Sequence, residues 1–235
     1  MKQEHPERLA QLAARFALDD KQREQLAAVL TCLAADELAP TTVREPAAAV
    51  DVHLADSLVA LELEVVCGAG RIADIGAGAG FPGLVLAVAL PESQVKLVES
   101  QARKCAFIER VAGHAGIENA EVVCTRAEEW QEGIRAHDVV LARAVAPQPV
   151  VLEYAAPLLR VGGALVDWRG RRDGDEERAA AGAAELLGLE CQSIVRVQPW
   201  EDARNRHLHV FSKLRATPDR FPRRAGMARK KPLAT

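Results

Sequence analysis

Only 4% of the 235 residues are aromatic, with a single tyrosine, so a core of stacked rings is excluded and the 49% hydrophobic content is mostly aliphatic. Alanine and leucine carry that content, which favours helices packed on a sheet over a β-sandwich. No stretch of eighteen uninterrupted apolar residues exists, and Met1-Lys2-Gln3-Glu4-His5-Pro6 lacks an apolar signal region. A soluble, cytoplasmic protein without a membrane partner is expected, with a monomer as the default. The five cysteines (Cys32, Cys67, Cys105, Cys124, Cys191) are odd in number and widely spaced, so neither a disulfide framework nor a zinc cluster is indicated. They read as small buried hydrophobes. His207 and His209 share a strand face but have no third ligand nearby, so no metal is expected.

Charge is distributed unevenly. The chain has a net charge of −3, yet from Lys213 onward eight Lys or Arg residues face Asp219 alone. A basic ending that includes Arg220-Phe221-Pro222-Arg223-Arg224 and Arg229-Lys230-Lys231 can lie along phosphates while an acidic body keeps the protein in solution.

What the sequence does contain is a glycine-dense turn. The apolar run Arg71-Ile72-Ala73-Asp74-Ile75 reads as a strand and empties into Gly76-Ala77-Gly78-Ala79-Gly80-Phe81-Pro82-Gly83, followed by a helical segment. Glycines at alternate positions let a backbone approach a ligand where a Cβ would collide. A second strand, Val95–Glu99, ends in an acid able to accept hydrogen bonds from both hydroxyls of a ribose. Loop and acid together describe a site for an adenosine-containing cofactor. A phosphate-binding P-loop is rejected, because Leu84 and Val85 stand where Lys and Ser or Thr are required. Gly78, Gly80 and Gly83 fit the dinucleotide pattern GxGxxG literally. If Gly76 opens the loop, the pattern is acid-x-GxGxG, as in Rossmann-like S-adenosylmethionine-dependent methyltransferases, whose ligand has no diphosphate to place.

The rest of the chain alternates. Residues 7–35 read as two helices with cap candidates Asp19 and Asp20 and an apolar stripe of Leu26, Val29, Leu30 and Leu33. A third helical segment covers Val52–Leu61. Beyond Glu99 the pattern gives a helix near Arg103–Ala112, strands near Glu121–Cys124 and Asp138–Ala142, and a helix over Pro149–Arg160 turned by Gly162-Gly163. A strand over Ala164–Trp168 and a helix over Asp175–Leu187 follow. The last two strands, Cys191–Val197 and His207–Leu214, have a connection too short for a crossover helix and must pair antiparallel. Three parts are expected: a helical extension over 1–66, an α/β body over 67–214 and a basic tail over 215–235.

His53-Leu54-Ala55-Asp56-Ser57-Leu58, the loop with its Phe81-Pro82-Gly83 ending, Arg103-Lys104-x-x-Phe107-Ile108, Arg143-Ala144, Arg206-His207-Leu208 and the tail motifs Phe221–Gly226 and Lys230–Leu233 together resemble the bacterial 16S ribosomal RNA guanine-N7 methyltransferase family (RsmG, also called GidB). The match spans nearly the whole chain. The resemblance implies an α/β, Rossmann-like class I methyltransferase: a mainly parallel seven-stranded sheet with an antiparallel final hairpin and a helical N-terminal extension. It implies S-adenosyl-L-methionine as cofactor and 16S rRNA or the small ribosomal subunit as partner. Gly76, Gly78, Gly80 and Phe81 would line the cofactor loop, Glu99 would take the ribose, Ala127 and Glu128 would flank the adenine, and Arg143 would face the cofactor. RNA contacts would come from His53, Arg169, Arg223, Arg224, Lys230 and Lys231. Packing of the helix-to-body junction is the other reading of His53. The chain departs from many members at Ala39-Pro40-Thr41 and at Arg169-Gly170, where Arg replaces Lys and alters donor geometry.

Guanine N7 carries a free electron pair and loses no proton on methylation, so its attack on a sulfonium methyl requires positioning and desolvation rather than a general base. That agrees with the lack of an obvious catalytic dyad. Cytosine-C5 chemistry needs a nucleophilic cysteine, whereas Cys124 reads as a buried strand residue. The Asn- or Asp-Pro-Pro-aromatic signature of adenine-N6 enzymes is missing. A small-molecule methyltransferase, an NAD-dependent oxidoreductase and a non-catalytic RNA-binding protein are the alternatives.

Overall fold

Seven strands form one sheet in the order β3-β2-β1-β4-β5-β7-β6. They are β1 (Arg71–Ile75), β2 (Gln94–Glu99), β3 (Ala120–Cys124), β4 (His137–Arg143), β5 (Leu159–Arg169), β6 (Leu189–Arg196) and β7 (His207–Lys213). The structure, a computed structural model, describes residues 4–233. Met1–Gln3 of the start expected to lack a signal region and the last two residues of the basic tail lie outside that range. The first five strands run parallel; β7 enters between β5 and β6 and pairs antiparallel with both, as the short connection requires. The chain winds outward from β1 in one direction through β2 and β3, then restarts beside β1 with β4. This reversal opens a crevice at the carboxyl ends of β1 and β4, where open α/β sheets bind ligands.

The central strands are apolar on both faces because helices cover both. Ile72, Ala73 and Ile75 of β1 and Val139–Ala142 of β4 have no solvent exposure. On one face lie α6 (Gly83–Ala89), α7 (Ala102–His114) and the N-terminal helices α1 (Glu4–Arg15) and α2 (Asp20–Ala35). Helix α2 begins with a reciprocal cap: Asp19 accepts from the Gln22 amide and the Gln22 side chain accepts from the Asp19 amide, each at 2.8 Å. Its stripe Leu26, Val29, Leu30 and Leu33 is buried in the same core as Leu84, Val85 and Leu86 of α6. The extension and the body therefore share one hydrophobic interior.

Short helical pieces lead from this extension to β1: α3 (Pro46–Ala49), a π-helical turn Val50–Ala55, α4 (Asp56–Leu58), a 3-10 turn Val59–Glu62 and α5 (Glu64–Cys67). Pro46 sits in the first turn of α3, where its missing amide costs nothing, and the Glu45 carboxylate caps the Ala47 and Ala48 amides. The segment anticipated as one helix over Val52–Leu61 is thus broken by a π turn at its start and a 3-10 turn at its end.

On the other face α8 (Gln148–Ala155) packs against α9 (Gly174–Leu187), which Asp173 caps. The helix expected over Pro149–Arg160 is shorter, because β5 already starts at Leu159 and runs through Gly162-Gly163. Gly163 serves a close backbone approach rather than a turn: a Cβ there would lie 2.6 Å from the Asp138 carbonyl. The tail folds onto this face. Phe221 and Ala228 are buried with Trp130 and Leu158, and α10 (Met227–Lys230) lies near α8.

The expectation of buried cysteines is corrected. Only Cys105 is buried; Cys32 is half-buried, and Cys67, Cys124 and Cys191 are exposed. Cys124 and Cys191 sit on β3 and β6, the two edge strands, whose outer faces no helix fully covers.

Candidate functional site

Asp74, near the end of β1, is fully buried, and its Oδ2 accepts the Gly83 amide at 2.8 Å, tying the last glycine of the loop back to the strand. The approach is so close that a Cβ on Gly83 would meet that oxygen at 2.8 Å. Burial pushes the Asp74 carboxyl up to about 7, outweighing the Gly83 hydrogen bond that lowers it. Its Oδ1 is buried with no partner. Gly76, Gly78 and Gly80 all have φ between +62° and +93°, the left-handed region where a side chain is strained.

At the end of β2 the Glu99 carboxylate leans onto this loop. Oε2 accepts the Gly78 amide at 3.1 Å and Oε1 the Gln101 amide at 2.9 Å. Oε2 keeps a lone pair for a further donor, whereas Oε1 also faces the Ser100 hydroxyl at 3.5 Å. A cavity of about 270 Å³ opens here, lined among others by Gly76, Glu99, Ala127, Glu128, Val145 and Tyr154. Four of the residues expected around the cofactor are thus brought together. Gly78 meets the site through its amide, whereas Gly80 and Phe81 are buried beneath the loop.

Arg143 stands at the end of β4, as expected, but its guanidinium turns toward the N-terminal segment. It donates to the Asp56 carboxylate at 3.0 Å and the Val52 carbonyl at 3.1 Å, and lies 5.8 Å from the Phe81 ring centre. Asp56, itself buried, also faces Arg206 at 3.5 Å, and its carbonyl accepts the Trp168 indole at 2.7 Å. Asp56 is a junction residue that the sequence reading did not single out; its place in the motif His53–Leu58 was the available signal. The next residue after Arg143, Ala144, is exposed and has φ +56°, a strained conformation for alanine.

Several anticipated RNA contacts are engaged inside the molecule. His53 is buried, stacks on Phe81 and points Nε2 at the Val43 carbonyl, 3.0 Å away; burial drops its pKa to about 4. Arg169 donates to the Ala146 carbonyl at 3.0 Å and pairs with Glu176 and with Asp167, the latter at 3.6 Å. Arg223 forms a two-point pair with Glu153, at 2.7 and 2.5 Å, that leaves the acid almost fully buried. Arg224, Lys230 and Lys231 are exposed. His209, read as a sheet residue, is buried with Nδ1 3.0 Å from the Gln148 amide nitrogen. Among the described residues no group of three metal-ligating side chains occurs.

The family model for rRNA small subunit methyltransferase G matches residues 23–208. The chain belongs to that family. Relatives named ribosomal RNA small subunit methyltransferase G include those of Rubrobacter xylanophilus, 39% identical over 81% of this chain and 75% of its own length, and Syntrophomonas wolfei, 39% identical over 77% and 85%. Among solved structures, Aeropyrum pernix fibrillarin in complex with S-adenosyl-L-methionine superposes with TM-score 0.54 at 18% identity, covering 67% of this chain and 73% of its own. A putative RNA methyltransferase from Pyrococcus horikoshii superposes at 0.53 and 16% identity, covering 81% and 98%. These two likenesses show the shared Rossmann-like methyltransferase fold. The cofactor implied for a methyltransferase G, S-adenosylmethionine, fits the residues present: a ribose-type acid held by two backbone amides and, beside it on the cavity wall, the bare backbone of Gly76, where a Cβ would meet Val145 at 3.0 Å.

Proposed function

We propose that the protein transfers the methyl group of S-adenosylmethionine to N7 of a guanine in 16S rRNA of the small ribosomal subunit, acting as a cytoplasmic monomer. The observation that carries this reading is the cavity at the carboxyl ends of the parallel strands, where Glu99 and the Gly76 loop meet in a chain of the methyltransferase G family. Gly76, Gly78 and Glu99 would hold the adenosine, with Ala127 and Glu128 on its far side. Gly80 and Phe81 act from beneath, by shaping the loop.

When bound, the cofactor supplies an electrophilic methyl group. The protein's share is to bring guanine N7 in line with it, exclude water and leave no competing nucleophile nearby. No side chain needs to take a proton, because N7 carries none. Arg143 would contribute by fixing the end of β4 against Asp56, a positioning role rather than a chemical one. Arg224, Lys230 and Lys231 would meet phosphates. Arg223 holds the tail from within through Glu153, whereas His53 and Arg169 are held by internal partners elsewhere.

The test is label transfer from methyl-labelled S-adenosylmethionine to small subunits purified from cells lacking this enzyme. Label in 16S rRNA is expected. Binding of the cofactor without any label in RNA would overturn the substrate and favour a small-molecule methyltransferase.

A further inference from the structure

The basic tail runs along the wall of the cavity read as the cofactor site, with Arg229 in its lining. Arg223 is locked to Glu153, the Gly226 amide donates to Glu128 Oε1 at 3.0 Å, and Ala228 is buried. These anchors bring Arg229 to the cavity that Gly76, Glu99 and Glu128 line. There its Nη2 donates to the Val145 carbonyl at 2.9 Å and its guanidinium lies beside the Tyr154 hydroxyl. A guanidinium has five N–H donors, so donors remain for a ligand.

S-adenosylmethionine carries a sulfonium, an ammonium and a carboxylate, so only its carboxylate suits a cation. The cavity lining offers two cations, Arg126 and Arg229. Strand order separates them. Arg126 follows β3, on the side of β2 and its ribose-type acid Glu99, where the adenosine would lie. Val145 follows β4, across β1, and packs on the loop: a Cβ on Gly76 would meet it at 3.0 Å. A ligand with its ribose at Glu99 extends its amino-acid end toward the β1–β4 crevice, the side to which Arg229 is tied.

We propose that Arg229 of the C-terminal tail binds the methionine carboxylate of the cofactor, so that the tail completes the cofactor site. The assignment rests on the reading of this cavity as the cofactor site. A forked guanidinium matches a carboxylate in two-point geometry, which a lysine reproduces only as a point charge.

Calorimetric dissociation constants of the full-length protein test this with three ligands: S-adenosylmethionine, S-adenosylhomocysteine and methylthioadenosine, which keeps the adenosine but lacks the amino-acid end. Arg229→Ala is expected to weaken the first two by about tenfold or more and to leave methylthioadenosine unchanged, with Arg229→Lys recovering part of the loss. Equal weakening of all three ligands, or of none, would overturn the proposal while leaving the cavity as cofactor site. Gly78→Asp serves as the control: if it retains S-adenosylmethionine binding, the site itself is misplaced and the Arg229 assignment falls with it.

Discussion

The imidazole of His53 lies flat on the ring of Phe81, with centroids 4.5 Å apart and planes 4° from parallel. Through this contact the N-terminal segment roofs the buried end of the glycine loop. The Arg143–Asp56 pair joins the same segment to β4. The extension is therefore part of the site's scaffold.

A buried neutral imidazole makes stability sensitive to acid. The His53 pKa is about 4 in the folded protein and 6.5 in its absence, so the unfolded chain binds the extra proton between those values. The contribution is complete above pH 6.5 and drains as pH falls toward 4, by about 3 kcal/mol across the window. Asp74 and Asp167, both raised to about 7 by burial, have the opposite sign and lose their contribution as pH rises through 7. The difference between wild type and His53→Phe isolates the histidine. Thermal melts should show the variant losing less stability than wild type from pH 6.5 to 4; parallel curves would contradict the assignment.

Gly78→Asp should abolish cofactor binding with the fold intact. A Cβ at Gly78 meets nothing closer than the Gly76 carbonyl at 3.7 Å, so the strain of a side chain at φ +62° stays local to the loop, and a second carboxylate would stand against Glu99. Glu99→Ala should weaken binding by about 10- to 100-fold, the range of a hydrogen bond to a charged group. Calorimetry alongside far-ultraviolet circular dichroism separates lost binding from lost fold.

Arg223 and Arg224 should differ despite being adjacent. Removing Arg223 strands the buried Glu153 carboxylate and should cost about 3–5 kcal/mol of stability. Arg224→Ala should leave the denaturation midpoint almost unchanged. Combined replacement of Arg224, Lys230 and Lys231 should weaken rRNA binding and lower the slope of log K against log salt by about 2. A slope equal to wild type would remove these residues from the RNA surface.

Asp56→Ala leaves the Arg143 guanidinium half-buried without its acid and should destabilise the junction by about 3 kcal/mol. Methyl transfer should drop more than cofactor affinity, because Arg143 holds the end of β4 and does not line the cavity proposed for the cofactor. Chemical denaturation and single-turnover kinetics measure the two effects.

The glycine loop, Glu99 and the antiparallel ending were legible in the sequence because each is a local pattern: spacing after a strand, an acid at a strand end, a connection too short to cross over. What stayed hidden depends on partners distant in sequence. Nothing local distinguishes Arg223 from Arg224; only Glu153, 70 residues away, does. Exposure of Cys124 and Cys191 follows from their strands being edges, which strand composition does not reveal. Gly162-Gly163 signals a turn as readily as a close strand approach, so the start of β5 reads as helix in the sequence. In the sequence Arg229 is one more cation in a basic tail; the tail's course places it against Val145.

The most direct test is to digest 16S rRNA after reaction with labelled S-adenosylmethionine and identify the labelled nucleoside, with Gly78→Asp as the blank. Label in 7-methylguanosine at one site, absent from the blank, is the predicted result. Label in another methylated nucleoside, or equal label in the blank, would contradict it.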